Sequence, residues 1–130
     1  ILSHGLVPII EPEVDITIPD KKEAEDLLYN NIKRRLDRIE PRKKVMLKLS
    51  LPEHDNFYEP LTRHPNILRI VALSGGFEKK IAVGRLRQNN NVIASFSRAL
   101  TEGLKSNSPG KEFDKQLDQT IQSIFEASLT

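Results

Sequence analysis

The stretch Val45-Met46-Leu47-Lys48-Leu49-Ser50-Leu51 decides the fold through its alternation. Successive side chains of an extended strand leave by opposite faces, so Val45, Leu47, Leu49 and Leu51 form one wholly apolar face. Met46, Lys48 and Ser50 form the other. The apolar face suits helices packed on a sheet. The second face carries an amine where burial is expensive, because desolvation disfavours the charged form of lysine and draws its pKa down. A lowered pKa is what an amine nucleophile needs.

On either side of this strand the alternation between period-2 and period-3.6 patterning predicts three more strand and helix units, four in all. The first strand is predicted at about Leu6 to Glu11, with Glu11 and Glu13 on one face, away from Ile10. Its helix starts at Asp20 with Glu23 as a capping box, and buries Ala24, Leu28, Ile32, Leu36 and Ile39 before Pro41 ends it. After Val45 to Leu51 and Pro52, a short helix carries Phe57 and Leu61 inward and ends at His64-Pro65-Asn66. The third strand, Ile67 to Leu73, runs into Ser74-Gly75-Gly76, a small-residue turn whose backbone amides can receive an anion. Its helix, about Glu78 to Gln88, offers Ile81, Ala82 and Leu86, and Asn89-Asn90-Asn91 is a turn. The fourth strand is predicted at Val92 to Ser97, followed at once by Arg98 and a short helix to about Leu104. A Ser/Asn/Pro/Gly linker then leads to a last helix burying Phe113, Leu117, Ile121, Ile124 and Phe125.

Strands alternating with helices imply an α/β chain with a parallel sheet, and apolar runs such as Ile67 to Leu73 imply that both sheet faces are covered. A compact open sheet and half of an eight-stranded barrel both fit. Strand alternation favours the half barrel, because polar groups pointing inward at the carboxyl ends of successive strands are the usual site geometry of a barrel. Residues 1–130 are read as one such unit, with no separate second domain.

Composition narrows the function classes. Twenty basic and 18 acidic residues leave a net charge of +2, which indicates neither a nucleic-acid binder nor a membrane-surface protein. The basic cluster Lys33-Arg34-Arg35, with Arg38, Arg42, Lys43 and Lys44, is interleaved with Asp37 and Glu40 and reads as a solvated helix face. The absence of cysteine excludes disulfides and thiolate zinc sites and allows a reducing compartment. His4, His54 and His64 lack metal-ligand spacing, so no metal is expected. No nucleophilic triad, Walker loop or dinucleotide fingerprint occurs. The chain begins at Ile1 rather than at a methionine, and the expectation is that it is cut from a longer polypeptide.

Taken singly, each candidate has a plain structural reading: Glu11 and Glu13 as solvated strand-end charge, Lys48 as a snorkelling edge lysine, Ser74-Gly75-Gly76 as a turn, Arg98 as an ion-pair partner. Their sequence on consecutive strand ends is what those readings do not account for.

The segments GLVPIIEPE (5–13), VMLKLSLP (45–52), IVALSGG (70–76) and IASFSRAL (93–100) resemble the second half of a class I fructose-1,6-bisphosphate aldolase of the bacterial type. The similarity runs in register from Gly5 to about Ala127. The resemblance implies strands five to eight of a TIM (β/α)8 barrel, with Lys48 as the Schiff-base lysine and Glu11 as the general acid/base. It makes Glu13 the partner that holds and tunes neighbouring cations. One phosphate is expected on Ser74, Gly75 and Gly76 and on the short-helix side of Ser97 and Arg98. No metal or other cofactor is implied, and the setting is cytoplasmic glycolysis or gluconeogenesis. In the family, an aspartate and further lysines of the site come from first-half strands that this chain does not contain. The partners expected are a sugar phosphate and either the missing N-terminal half of the barrel or a second copy. Three classes stay open: part of an aldolase, inactive alone; a non-catalytic phosphate-binding α/β module; or a piece that acts only by assembling with a partner.

Overall fold

Parallel pairing of Ile9 with Met46 and Ile10 with Leu47 joins β1 (Ile9–Ile10) to β2 (Val45–Ser50). This is seen in a computed structural model that describes all residues, 1–130. β2 pairs in parallel with β3 (Ile67–Leu73), and β3 with β4 (Val92–Ala94), so the sheet order β1-β2-β3-β4 is the order in sequence. The helices α1 (Lys21–Leu36), α2 (Glu59–Thr62), α3 (Lys79–Leu86) and α4 (Arg98–Thr101) follow the strands in turn, and α5 (Gly110–Ala127) ends the chain. The expected parallel α/β sheet in sequence order is therefore present.

The apolar face of β2 makes the core. Val45, Leu47, Leu49 and Leu51 are all buried, against Ile32 and Leu36 of α1, Leu61 of α2, Ala82 and Leu86 of α3 and Ala127 of α5. Each fully buried leucine contributes about 1.5–3 kcal/mol of transfer free energy. The opposite face departs from the expectation that both faces are covered. Met46 and Lys48 are half-buried, Arg69 is exposed, and Ile9 and Ile10 remain exposed at the β1 edge, because no layer of this chain lies over them.

Element ends differ from the sequence reading for local reasons. β1 has two residues rather than six, since its register next calls for an N–H at residue 12 and Pro12 has none. α1 stops at Leu36, where Arg38 and Ile39 switch to bonds three residues back, leaving Ile39 outside the helix but packed on the core. Asp20 does precede α1, yet its side chain makes no capping bond. β4 ends at Ala94, after which Ser95 N–H donates to Ala72 O (2.7 Å) and Phe96 turns into the core. Ile81, Ile121 and Phe125, expected inside, are exposed, while Val83 and Thr120 take buried positions on α3 and α5.

Candidate active site

Lys48 stands in the middle of β2 on its polar face, and Glu11 lies just beyond β1, the neighbouring parallel strand. Lys48 Nζ donates to Glu11 Oε2 at 3.0 Å. The side chains are 27% and 51% exposed, so the amine is not isolated in apolar surroundings as the sequence suggested. It is an ion pair open to one side. The chain after Ile10 leaves the ladder at Pro12, and its next fixed point is Val14, whose N–H donates to Ser50 Oγ (3.0 Å) while Ser50 Oγ donates to Val14 O (2.8 Å). Both Ser50 and Val14 are buried. An amine and a carboxylate at this separation can exchange a proton directly, which is the requirement for activating a lysine nucleophile and for acid/base steps on what it attacks.

Ser97 shares with Lys48 an open groove of about 670 Å³, walled by β4, Phe96, Leu100 and the α5 residues Ile121 and Phe125. The other expected anion-binding residues do not line it. Ser74 is buried; Gly75 and Gly76 follow with φ of 61° and 103°, and Phe77 N–H closes the turn on Ser74 O at 2.9 Å. Gly75 has the left-handed backbone that favours glycine, and a Cβ there would stand 3.1 Å from Ile16 Cγ2, close enough that Ile16 would have to shift. Arg98 is exposed at the start of α4 and forms no ion pair. Glu13 is exposed and makes neither an ion pair nor a side-chain hydrogen bond, so it holds no cation within this chain. His64 lies 3.2 Å from Asp37, and no cluster of three potential metal ligands forms.

Sequence reasoning missed a second polar cluster at the carboxyl end of β2. Lys21 and Glu25 form a buried ion pair; Lys21 Nζ also donates to Leu51 O (3.0 Å), and Glu25 Oε2 accepts from Glu53 N–H (2.9 Å). Tyr58 is buried with no hydrogen-bond partner for its hydroxyl; burial, and next the charge of Glu25, push its pKa well above the usual phenol value. A signal existed. Lys21, Glu25, Leu28, Ile32 and Leu36 share one helical stripe, whereas Ala24, chosen for its apolarity, sits beside it.

The chain is 51% identical over 130 residues to a fructose-bisphosphate aldolase class 1 of Clostridium acetobutylicum, all of this chain matching 44% of that protein. It is 51% identical to a protein of the same name from Synechocystis sp., again over the whole chain and 43% of the relative. With the one from Porphyromonas gingivalis it shares 49% identity over 99% of the chain and 43% of the relative. The chain is homologous to the C-terminal part of class 1 fructose-bisphosphate aldolases. It spans less than half the length of these curated relatives. No protein-family model matches it. No helix is long and apolar enough to cross a membrane.

Proposed function

We propose that this chain supplies the Schiff-base half of a class I fructose-1,6-bisphosphate aldolase, a cytoplasmic lyase of glycolysis and gluconeogenesis that uses no metal. The observation that carries the reading is the Lys48–Glu11 pair at 3.0 Å on adjacent parallel strands, in a chain half identical to proteins bearing that name. Lys48 passes a proton to Glu11, and the free amine attacks the ketone carbon of fructose 1,6-bisphosphate or dihydroxyacetone phosphate. The carbonyl oxygen becomes a hydroxyl; protonated by Glu11, it leaves as water, and the C=N iminium remains. When a base takes the proton of the C4 hydroxyl, the C3–C4 bond breaks, the aldehyde leaves, and the iminium accepts the released electron pair to become an enamine. The enamine takes up a proton at C3 to become an iminium again, and water adds to that carbon and releases dihydroxyacetone phosphate and the free lysine. In this reading Ser74, Gly75, Gly76, Ser97 and Arg98 serve one phosphate, and Glu13 meets cations supplied from outside this chain.

Strands five to eight of a (β/α)8 barrel describe the sheet in this reading, and the chain works with the remaining units rather than alone. The exposed Ile9 and Ile10 at one edge and Ile121, Phe125 and Leu129 beside the other support that expectation, since they are apolar surfaces of the kind a further layer covers.

The test is reduction with borohydride in the presence of dihydroxyacetone phosphate, in the complete polypeptide, followed by peptide mass spectrometry. A stable adduct on Lys48 is expected. An absence of any adduct overturns the reading and leaves the phosphate-binding module in its place, and an adduct on a different lysine takes the Schiff base away from Lys48 and overturns it too.

A further inference from the structure

We infer that Ser50 is a positioning residue for Glu11: from the strand that carries Lys48, it holds the segment that carries the acid/base. This deepens the aldolase reading and rests on it. Glu11 needs such an anchor because the β1–β2 ladder ends at Ile10 paired with Leu47, and Pro12 cannot extend it. A half-exposed carboxylate just past the end of a two-residue edge strand has little to keep it in reach of an amine. The buried hydroxyl of Ser50 makes both an accepted and a donated bond with the main chain of Val14. Glu11 is thereby held between two fixed points, the ladder at Ile10 and the clamp at Val14, with Pro12 stiffening the span between them.

The geometry links the two reacting side chains through one element. Lys48 and Ser50 are two residues apart on β2 and share its polar face, so a shift of β2 carries the amine and the clamp together. Ser50 touches no reacting atom. It acts through three residues of backbone, and its loss leaves the buried Val14 N–H and C=O without that partner while Glu11 gains freedom to swing away. Misplacement by about 1 Å is enough to cost a catalytic group roughly a hundredfold in rate.

The experiment compares Ser50→Ala, Ser50→Thr and Ser50→Cys in the complete polypeptide, with kcat counted per site trapped by borohydride and dihydroxyacetone phosphate. Counting per trapped site removes any effect of misfolded protein. Ser50→Ala is expected to lower kcat per site by roughly 10- to 100-fold with KM within about twofold. Ser50→Thr, which keeps the hydroxyl, is expected within about threefold of wild type. Ser50→Cys keeps the volume and weakens both bonds, so it falls between them and serves if Ser50→Ala does not fold. Wild-type kcat per site in Ser50→Ala or Ser50→Cys, or an equal fall in Ser50→Thr, overturns the inference. If wild type itself gives no adduct on Lys48, the aldolase reading fails and this inference with it; an adduct in wild type with indifference to the serine removes the inference alone.

Discussion

Lys21 and Glu25, one helical turn apart on α1, form an ion pair with side chains only 6% and 2% exposed, and both reach across to the main chain leaving β2. Breaking such a pair leaves an uncompensated buried charge. Glu25→Ala is expected to destabilise the fold by about 3–5 kcal/mol, and Lys21→Met with Glu25→Leu to cost less than the single change. Urea unfolding of the single and double variants measures this, and a double variant weaker than Glu25→Ala would show that the charges are not coupled.

The Tyr58 hydroxyl gives the stability of the fold a defined dependence on alkaline pH. Its folded pKa is raised, so above the unfolded value of about 10 the unfolded chain has lost a proton that the folded one keeps. Stability is therefore unaffected by this titration below pH of about 10 and falls as pH rises beyond it. Tyr58→Phe removes an unpartnered buried hydroxyl and this titration together. The variant is expected to match or exceed wild type by up to about 1 kcal/mol at neutral pH, and to fall less steeply above pH of about 10. Unfolding midpoints across an alkaline pH series provide the check.

Substitution of the two paired side chains separates their roles. In the complete polypeptide Lys48→Met and Lys48→Arg are both expected to abolish turnover with circular dichroism unchanged, since neither side chain forms an iminium. Glu11→Gln is expected to retain a trappable adduct while slowing turnover by about 10²- to 10⁴-fold. Activity within about tenfold of wild type in either lysine variant would take Lys48 out of the mechanism.

The isolated 130-residue chain is expected to be inactive toward fructose 1,6-bisphosphate and to self-associate. Phe125 is 55% exposed, one turn beyond the exposed Ile121 on α5. Phe125→Glu should therefore shift the isolated chain toward monomer in sedimentation analysis. Full turnover by monomeric wild-type chain would show that the site needs no other half.

Much of the fold was legible because β2 and β3 obey simple alternation, and alternation decides which face meets the helices. Alternation on successive strands implies that Glu11, Glu13, Lys48 and Ser74 face one cavity; Lys48 and Glu11 do meet, whereas Ser74 is buried away from the groove that Lys48 lines and Glu13 makes no side-chain hydrogen bond. The reading failed where one residue breaks a periodic pattern: Pro12 halting the ladder, Phe96 turning inward after Ala94, Lys21 and Glu25 occupying core positions that apolarity assigned to Ala24. Ile121 and Phe125 have core-like spacing, yet nothing within the chain covers them. Periodicity reports that a face is meant for burial; it does not name the surface that buries it.

The bond from Ala94 N–H to Ser128 Oγ (3.1 Å) bears on how copies of this chain can meet. A parallel sheet with bare edges invites foreign strands to add and to stack into fibres. At one edge that amide is already occupied by a hydroxyl from the end of the chain. At the other the strand is only two residues long, too brief to template a neighbour. Both edges of the sheet thus offer little free backbone for a second copy to pair with, and the exposed apolar side chains are what is left for it to meet.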